Sequence, residues 1–192
     1  MRHSHTQRLL DHWRQERGEQ LAPRKANIEP RDIKDHLAFA FLLKRDADDK
    51  FTFSLAGTGV CDLFGQELRG QSFTHLWADA SRNAARTSLI RVSNLAVPTV
   101  ALAVGETADL RAMPAEIVML PYADARGETT WILGHFQPLD PLSRLLGRKL
   151  VRMRMTANAI LTGDAHSPSA VAFEDDKRAA NAGKHLKVVS SR

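Results

Sequence analysis

The period of the apolar residues changes several times along the chain, and each change marks an element. Between Thr6 and Glu16, Leu9, Leu10 and Trp13 fall on one helical stripe, with Gly18 as a natural stop. The stripe is narrow, as in a helix that lies across another surface instead of inside a core. A linker containing Pro23 and Pro30 follows. Pro30 can open a short helix toward His36, because the N–H that proline lacks is unpaired at a first helical position anyway. Phe39–Leu43 is apolar and aromatic, and Phe51–Leu55 alternates apolar with polar residues. The tight polar connection Asp46–Asp49 between them predicts an antiparallel hairpin.

Beyond Gly57 the period becomes helical again. Thr58 caps a short helix over Gly59–Phe64 that Gly65 closes, and Gly70 marks another turn. Asp79–Val97 is the longest helical segment, with Ala85, Leu89, Val92 and Ala96 at helical intervals and Pro98 as its limit. Three further strand-like runs follow, Thr99–Val104, Ala112–Leu120 and Thr130–Phe136, the last two separated by the turn Asp124–Gly127. Helices grouped between antiparallel hairpins predict an α+β fold instead of a wound parallel sheet. After Pro138 and Pro141 the pattern decays. A short amphipathic helix is expected over Ser143–Val151, and disorder from Gly163, where small and charged residues offer little to offset the entropy of ordering.

Composition changes this picture in two places. At 43% hydrophobic residues in 192, the chain suits one folded domain. The net charge of +5 is unevenly spread: ten basic and four acidic residues lie from Pro141 onward, which leaves residues 1–140 at −1. The basic character therefore belongs to the tail, and a domain-wide polyanion-binding face is disfavoured. No apolar run approaches the ~20 residues that span a bilayer, and no apolar stretch follows the basic start as a secretory signal requires. With a single cysteine, Cys61, and hence no internal disulfide, the expectation is a cytoplasmic protein.

The order of two strands, helices and three strands resembles that of PAS domains, and the chain is similar to a family of small bacterial PAS-like proteins. The residues that carry the resemblance begin with Trp13, Arg17-Gly18, Pro23-Arg24, Ile28, Pro30, Phe41–Leu43 and Phe53–Thr58. They continue through Val60-Cys61, Leu63–Gly65, Glu67-Leu68, Gly70, Phe73 and Trp77, and end with Glu116–Pro121 and Ile132–Gly134. The resemblance covers roughly residues 10–138. It implies a five-stranded antiparallel sheet with helices between strands two and three, preceded by the amphipathic helix. With the composition of the tail, which has no counterpart in the family, the resemblance gives an expected layout of an N-terminal helix and linker over residues 1–22, a PAS-like domain over 23–140, and a basic, largely disordered tail over 141–192. It also implies a sensory or regulatory role without enzymatic activity. The ligand cavity would then be lined by Phe53, Leu55, Cys61, Phe64, Phe73 and Trp77.

No catalytic constellation emerges. Cys61 sits in the apolar pattern Val60-Cys61-x-Leu63-Phe64 and reads as a small buried hydrophobe in preference to a nucleophile. His3, His5 and His12 read as solvated, and His36, His75 and His135 as solitary, so no metal site is expected. A haem would depend on His75, and neither haem nor flavin is favoured. No phosphate loop and no Gly-x-Ser-x-Gly elbow occurs. The spacing of Arg148 and Arg152 resembles cyclic-dinucleotide modules, but their companion pattern is missing. Leu9, Leu10 and Trp13 are the expected surface for a homodimer or protein partner, since aromatic anchors dominate such interfaces. Binding of nucleic acid or an anionic membrane through the basic tail is the alternative.

Overall fold

The computed structural model describes residues 3–161 and the backbone of 169–171. Helix α1 is Ser4–Arg17. Strands β1 (Ala40–Arg45) and β2 (Phe51–Ala56) form the first hairpin, whose turn is closed by the backbone N–H groups of Asp48 and Lys50 donating to the Asp46 carboxylate. Helices α2 (Thr58–Phe64) and α3 (Asp79–Leu95) then cross one face of the sheet. The meander β3 (Thr99–Thr107), β4 (Ala112–Tyr122) and β5 (Trp131–Pro138) returns, and β5 pairs with β1. The five expected strands thus join one antiparallel sheet, in the order β2-β1-β5-β4-β3.

The sheet does not stop there. Leu150–Ile160 forms β6 alongside β3, and Ser169–Val171 forms β7 beside β6, giving seven strands instead of five. The sheet therefore crosses the expected boundary at residue 140. Ser143–Val151 is not a helix: a 3₁₀ turn over Leu142–Leu145 ends at Leu146 and Gly147 in left-handed conformations, and β6 begins at Leu150. Alternation in β6 is blurred for a physical reason. Opposite β3 the register skips Val151 and again Thr156, so that Leu150, Met153 and Asn158 are buried out of step with a strict period of two. Of the disorder expected from Gly163 onward, residues 163–168 and 172–192 lie outside the described residues, while Ser169–Val171 is ordered instead by pairing with β6.

Both faces of the sheet are covered. On one, Phe41, Phe53, Ile117, Met119, Ile132, Phe136 and Met153 pack against α2 and α3 through Val60, Leu63, Phe64, Ala85, Leu89 and Val92. On the other, Val100, Val118, Leu120, Tyr122 and Leu133 pack against Leu9, Leu10 and Trp13 of α1. This accounts for the unbroken apolar run Ile117–Leu120 in β4, since a strand buried on two sides has no polar face to alternate.

The same packing corrects the expected partner surface. Leu9, Leu10 and Trp13 are buried within the chain itself. The Trp13 indole N–H donates to the Pro121 carbonyl at 2.7 Å, and the Tyr122 hydroxyl donates to Glu16 at 2.9 Å. Burial, then the Glu16 carboxylate, push the Tyr122 phenol upward and keep it protonated, which suits it as a donor. The helix is a structural lid on the sheet.

Two substitutions test this architecture by urea denaturation. Leu10→Ala is expected to lower the unfolding free energy by about 2–5 kcal/mol, whereas Leu21→Ala, at a side chain 81% exposed, should stay within about 0.5 kcal/mol of the parent. Similar small effects at both positions would remove α1 from the sheet. Gly134 pairs with Phe41, whose ring occupies the space a Cβ at residue 134 would need. Gly134→Ala is accordingly expected to cost about 1–3 kcal/mol through overpacking.

Candidate functional site

The space between the sheet and α2/α3 is an aromatic cage. Phe41 projects from β1, Phe53 from β2, Ile117 from β4, Phe136 from β5 and Met153 from β6; Val60 and Phe64 close it from α2. Phe73, Leu76 and Trp77 come from the 3₁₀ segment Phe73–Leu76 and the residue after it. Phe73 is central, with ring centroids 5.6 Å from Phe41, 5.8 Å from Phe53 and 5.7 Å from Trp77. Phe41 and Phe53 meet edge-on at 5.7 Å, and Phe64 meets Phe136 at 6.3 Å. All lie in the range where aromatic quadrupoles attract.

These rings nearly fill the space they enclose. The remaining cavity is about 10 Å³, room for at most one water and far below the ~300 Å³ of a typical small-ligand pocket. One polar atom stands out in this apolar wall: the Trp77 indole N–H is buried and has no hydrogen-bond partner among the described residues. Trp77 is held by β6, because the Ala78 N–H donates to the Met153 carbonyl at 2.8 Å. The Ser81 hydroxyl accepts from the Met155 N–H at 3.0 Å, and the Asn158 amide donates to Ser88. Strand β6 thereby fixes α3 and one wall of the cage together.

Of the side chains expected to line the cavity, Phe53, Phe64, Phe73 and Trp77 do so. Leu55 does not, being 53% exposed. The β1–β2 register jumps from Leu42↔Leu55 to Leu43↔Phe53, and this irregularity turns Leu55 away from the face that Phe53 occupies. Cys61 is half-buried beside the core, with Sγ 3.8 Å from Glu67 Oε1, and is not among the cage-lining residues. His75 is exposed instead of facing the cage, so the haem-ligand role considered for it has no geometric basis. Phe41 and Phe136 lie in runs already legible as strands and could be placed by alternation. Met153 could not, because its strand lies in the expected tail.

A second cluster lies at the start of α1. His5, His36 and His135 each offer a ring nitrogen within 4.8 Å of the others. Ring centroids are 5.0 Å apart for His5 and His36 and 5.2 Å for His36 and His135. The Nδ1 atoms of His36 and His135 are buried without partners among the described residues. Burial, followed by the neighbouring imidazoles, lowers His135 to about 3, and burial followed by His5 lowers His36. His5 is lowered by burial and then by Arg8. His3 adjoins the cluster: its Nδ1 accepts from the His5 N–H at 3.2 Å, and its own N–H donates to buried Glu116 at 3.1 Å. These histidines, read from sequence as solvated or solitary, are brought together by the fold.

The sequence profile of the PAS domain family matches residues 1–137, more than two thirds of the chain. The chain belongs to the PAS domain family. The match takes in α1 as well as the five-stranded sheet, and β6 lies beyond it. No curated protein is a sequence match. Several solved structures are similar in part. A light-oxygen-voltage domain studied with a flavin analogue is 12% identical, with TM-score 0.47 over 60% of this chain and 87% of that one. The PAS domain of Bordetella pertussis BvgS is 18% identical, with TM-score 0.45 over 58% and 84%. The Vibrio cholerae VqmA dimer is 13% identical, with TM-score 0.44 over 59% and 52%.

In this PAS domain the central ring of the cage can be removed as a test. Phe73→Ala is expected to lower stability by about 3–5 kcal/mol and to leave an apolar void that takes up benzene or indole. Ligand-induced protection in thermal melts would report it. No gain in protection over the parent would mean that the cage collapses around the truncation.

Proposed function

We propose that this PAS domain is a non-enzymatic sensory and regulatory module that acts through contact with a protein partner, a second copy of itself included, and takes a small apolar ligand in the aromatic cage. The observation that carries the reading is the cage itself, closed by mutually packed rings and containing one unpaired buried donor at Trp77. A ligand entering it must displace rings carried by α2, by the Phe73–Leu76 segment and by the sheet, so occupancy and helix position are coupled. Coupling of that kind shifts a conformational equilibrium whenever the ligand prefers one arrangement. An apolar molecule with one hydrogen-bond acceptor suits the lining. The lining holds no carboxylate, imidazole or lysine that might serve as general acid or base, which supports a binding role over a catalytic one.

The alternative, binding of nucleic acid or an anionic membrane through the basic tail, loses part of its support. Arg144 pairs with Asp140, Arg148 with Asp109, and Arg152 and Arg154 with Glu106, while Lys149 donates to the Asp62 carbonyl. Cations engaged in this way present less free charge to a polyanion.

Native mass spectrometry of the freshly purified full chain, with an absorption spectrum, tests both parts of the proposal. A dimeric mass and a copurified small molecule released on denaturation are expected. A monomer that carries nothing and captures no protein partner would overturn it. Replacing Lys177, Arg178, Lys184, Lys187 and Arg192 with Gln separates the alternative. Salt-sensitive binding to duplex DNA or anionic vesicles that disappears in this variant would favour the tail instead.

A further inference from the structure

We infer that His5, His36 and His135 form a binding site for one divalent transition-metal ion of the zinc class. The three come from unrelated parts of the chain: the first turn of α1, the 3₁₀ segment Lys34–Phe39 before β1, and the middle of β5. Nothing local explains their convergence, since each segment has its own reason to be where it is.

Packing alone is a poor account of the cluster. The rest of the face under α1 is filled by Leu9, Leu10, Val118, Leu120 and Leu133. At its edge stand two imidazoles, His36 and His135, with buried Nδ1 atoms that find no partner among the described residues. Each such atom forfeits its hydration without recovering a hydrogen bond. A metal ion converts that cost into coordination. Zinc–nitrogen bonds of 2.0–2.1 Å in a tetrahedral site place ligand nitrogens roughly 3.3 Å apart. The present separations, within 4.8 Å, require the ligand nitrogens to close by at most about 1.5 Å, a distance that side-chain rotation can cover.

The surroundings are mixed in charge and leave a place for the ion. Glu116 is buried and projects from β4 on the same face as Val118, the register partner of His135. It accepts only the His3 N–H among the hydrogen bonds of the described residues, which leaves a carboxylate acceptor free to balance the charge of a dication. Asp35 adds attraction and Arg8 opposes it, both acting on His5 and His36. His5 is half-buried, so the side of the site it guards opens toward solvent, where water can complete the coordination. Three imidazoles with one open position suit Zn²⁺, Co²⁺, Ni²⁺ or Cu²⁺ over Mg²⁺ or Ca²⁺. Because His5 belongs to α1 and His135 to the sheet, the ion would pin the helix that covers the outer face.

The test uses the untagged full chain after chelator treatment, titrated with Zn²⁺ and with Co²⁺. One ion per chain, a rise in melting temperature, and the intense visible absorption of four-coordinate Co²⁺ are expected. His5→Gln changes the most accessible ligand and is the variant most compatible with folding; it should weaken Co²⁺ binding at least about 10-fold and abolish the four-coordinate spectrum. His36→Ala should do the same, and His75→Ala, at an exposed position elsewhere, should titrate like the parent. Equal affinity in the parent, His5→Gln and His75→Ala, or a six-coordinate spectrum throughout, would overturn the site. Metal binding is read separately from copurified ligand, so its failure leaves the sensory proposal standing.

Discussion

The ladder between β1 and β5, from Ala40↔His135 to Lys44↔Trp131, is the contact on which the rest of the molecule depends. Each of its strands belongs to a locally formed unit, β1 to the first hairpin and β5 to the β3–β5 meander, and only their pairing makes one sheet. The pairing is close because Gly134 leaves room for the ring of Phe41 above it. Once formed, it sets Phe41 near Phe136 on the face covered by α2 and α3 and carries His36, just before β1, to His135 on the face covered by α1. The cage and the histidine cluster are thus two consequences of one register, on opposite sides of the same strands.

A sheet covered on both sides obliges the chain to supply two lids. Helices α2 and α3 provide one between β2 and β3, as the order of elements demands. The other is α1, whose Leu9, Leu10 and Trp13 shield Val118, Leu120 and Leu133. A narrow apolar stripe is compatible either with a partner or with the chain's own sheet, and the choice turns on the opposite surface. The polar tips of the interface identify the sheet: Trp13 reaches a carbonyl at the end of β4, and Tyr122 reaches back to Glu16. These two buried polar groups, the Trp13 indole and the Tyr122 hydroxyl, find their partners across the contact, as a stable intramolecular interface favours.

Strand β6 has a comparable role on the inner face. It supplies Met153 to the cage, ties Trp77 through Ala78, and holds α3 through Ser81 and Ser88. The segment after Pro141 therefore helps shape the cavity that the PAS family match, ending at residue 137, leaves open on that side. Several of its arginines form ion pairs with Glu106 and Asp109. Exposed pairs of this kind contribute little to stability, but they reduce the free positive charge on the surface.

Local periodicity in the sequence determined the five strands, the α2 and α3 segments and the hairpin turns, because each depends on neighbours two to four positions away; Phe53, Phe64, Phe73 and Trp77 of the cage were legible only through the family resemblance. It also contained the sign that β4 is buried twice, in the unbroken run Ile117–Leu120. Tertiary structure alone decided which surface Leu9, Leu10 and Trp13 face, since an amphipathic stripe does not encode what covers it. It alone turned Leu55 outward and recruited β6, since register irregularities at β1–β2 and β3–β6 depend on how two strands meet and shift the alternation that sequence reading relies on. And it alone gathered His5, His36 and His135, whose separations along the chain follow no ligand spacing. Non-local pairing brings such residues together, and a one-dimensional pattern holds no trace of it.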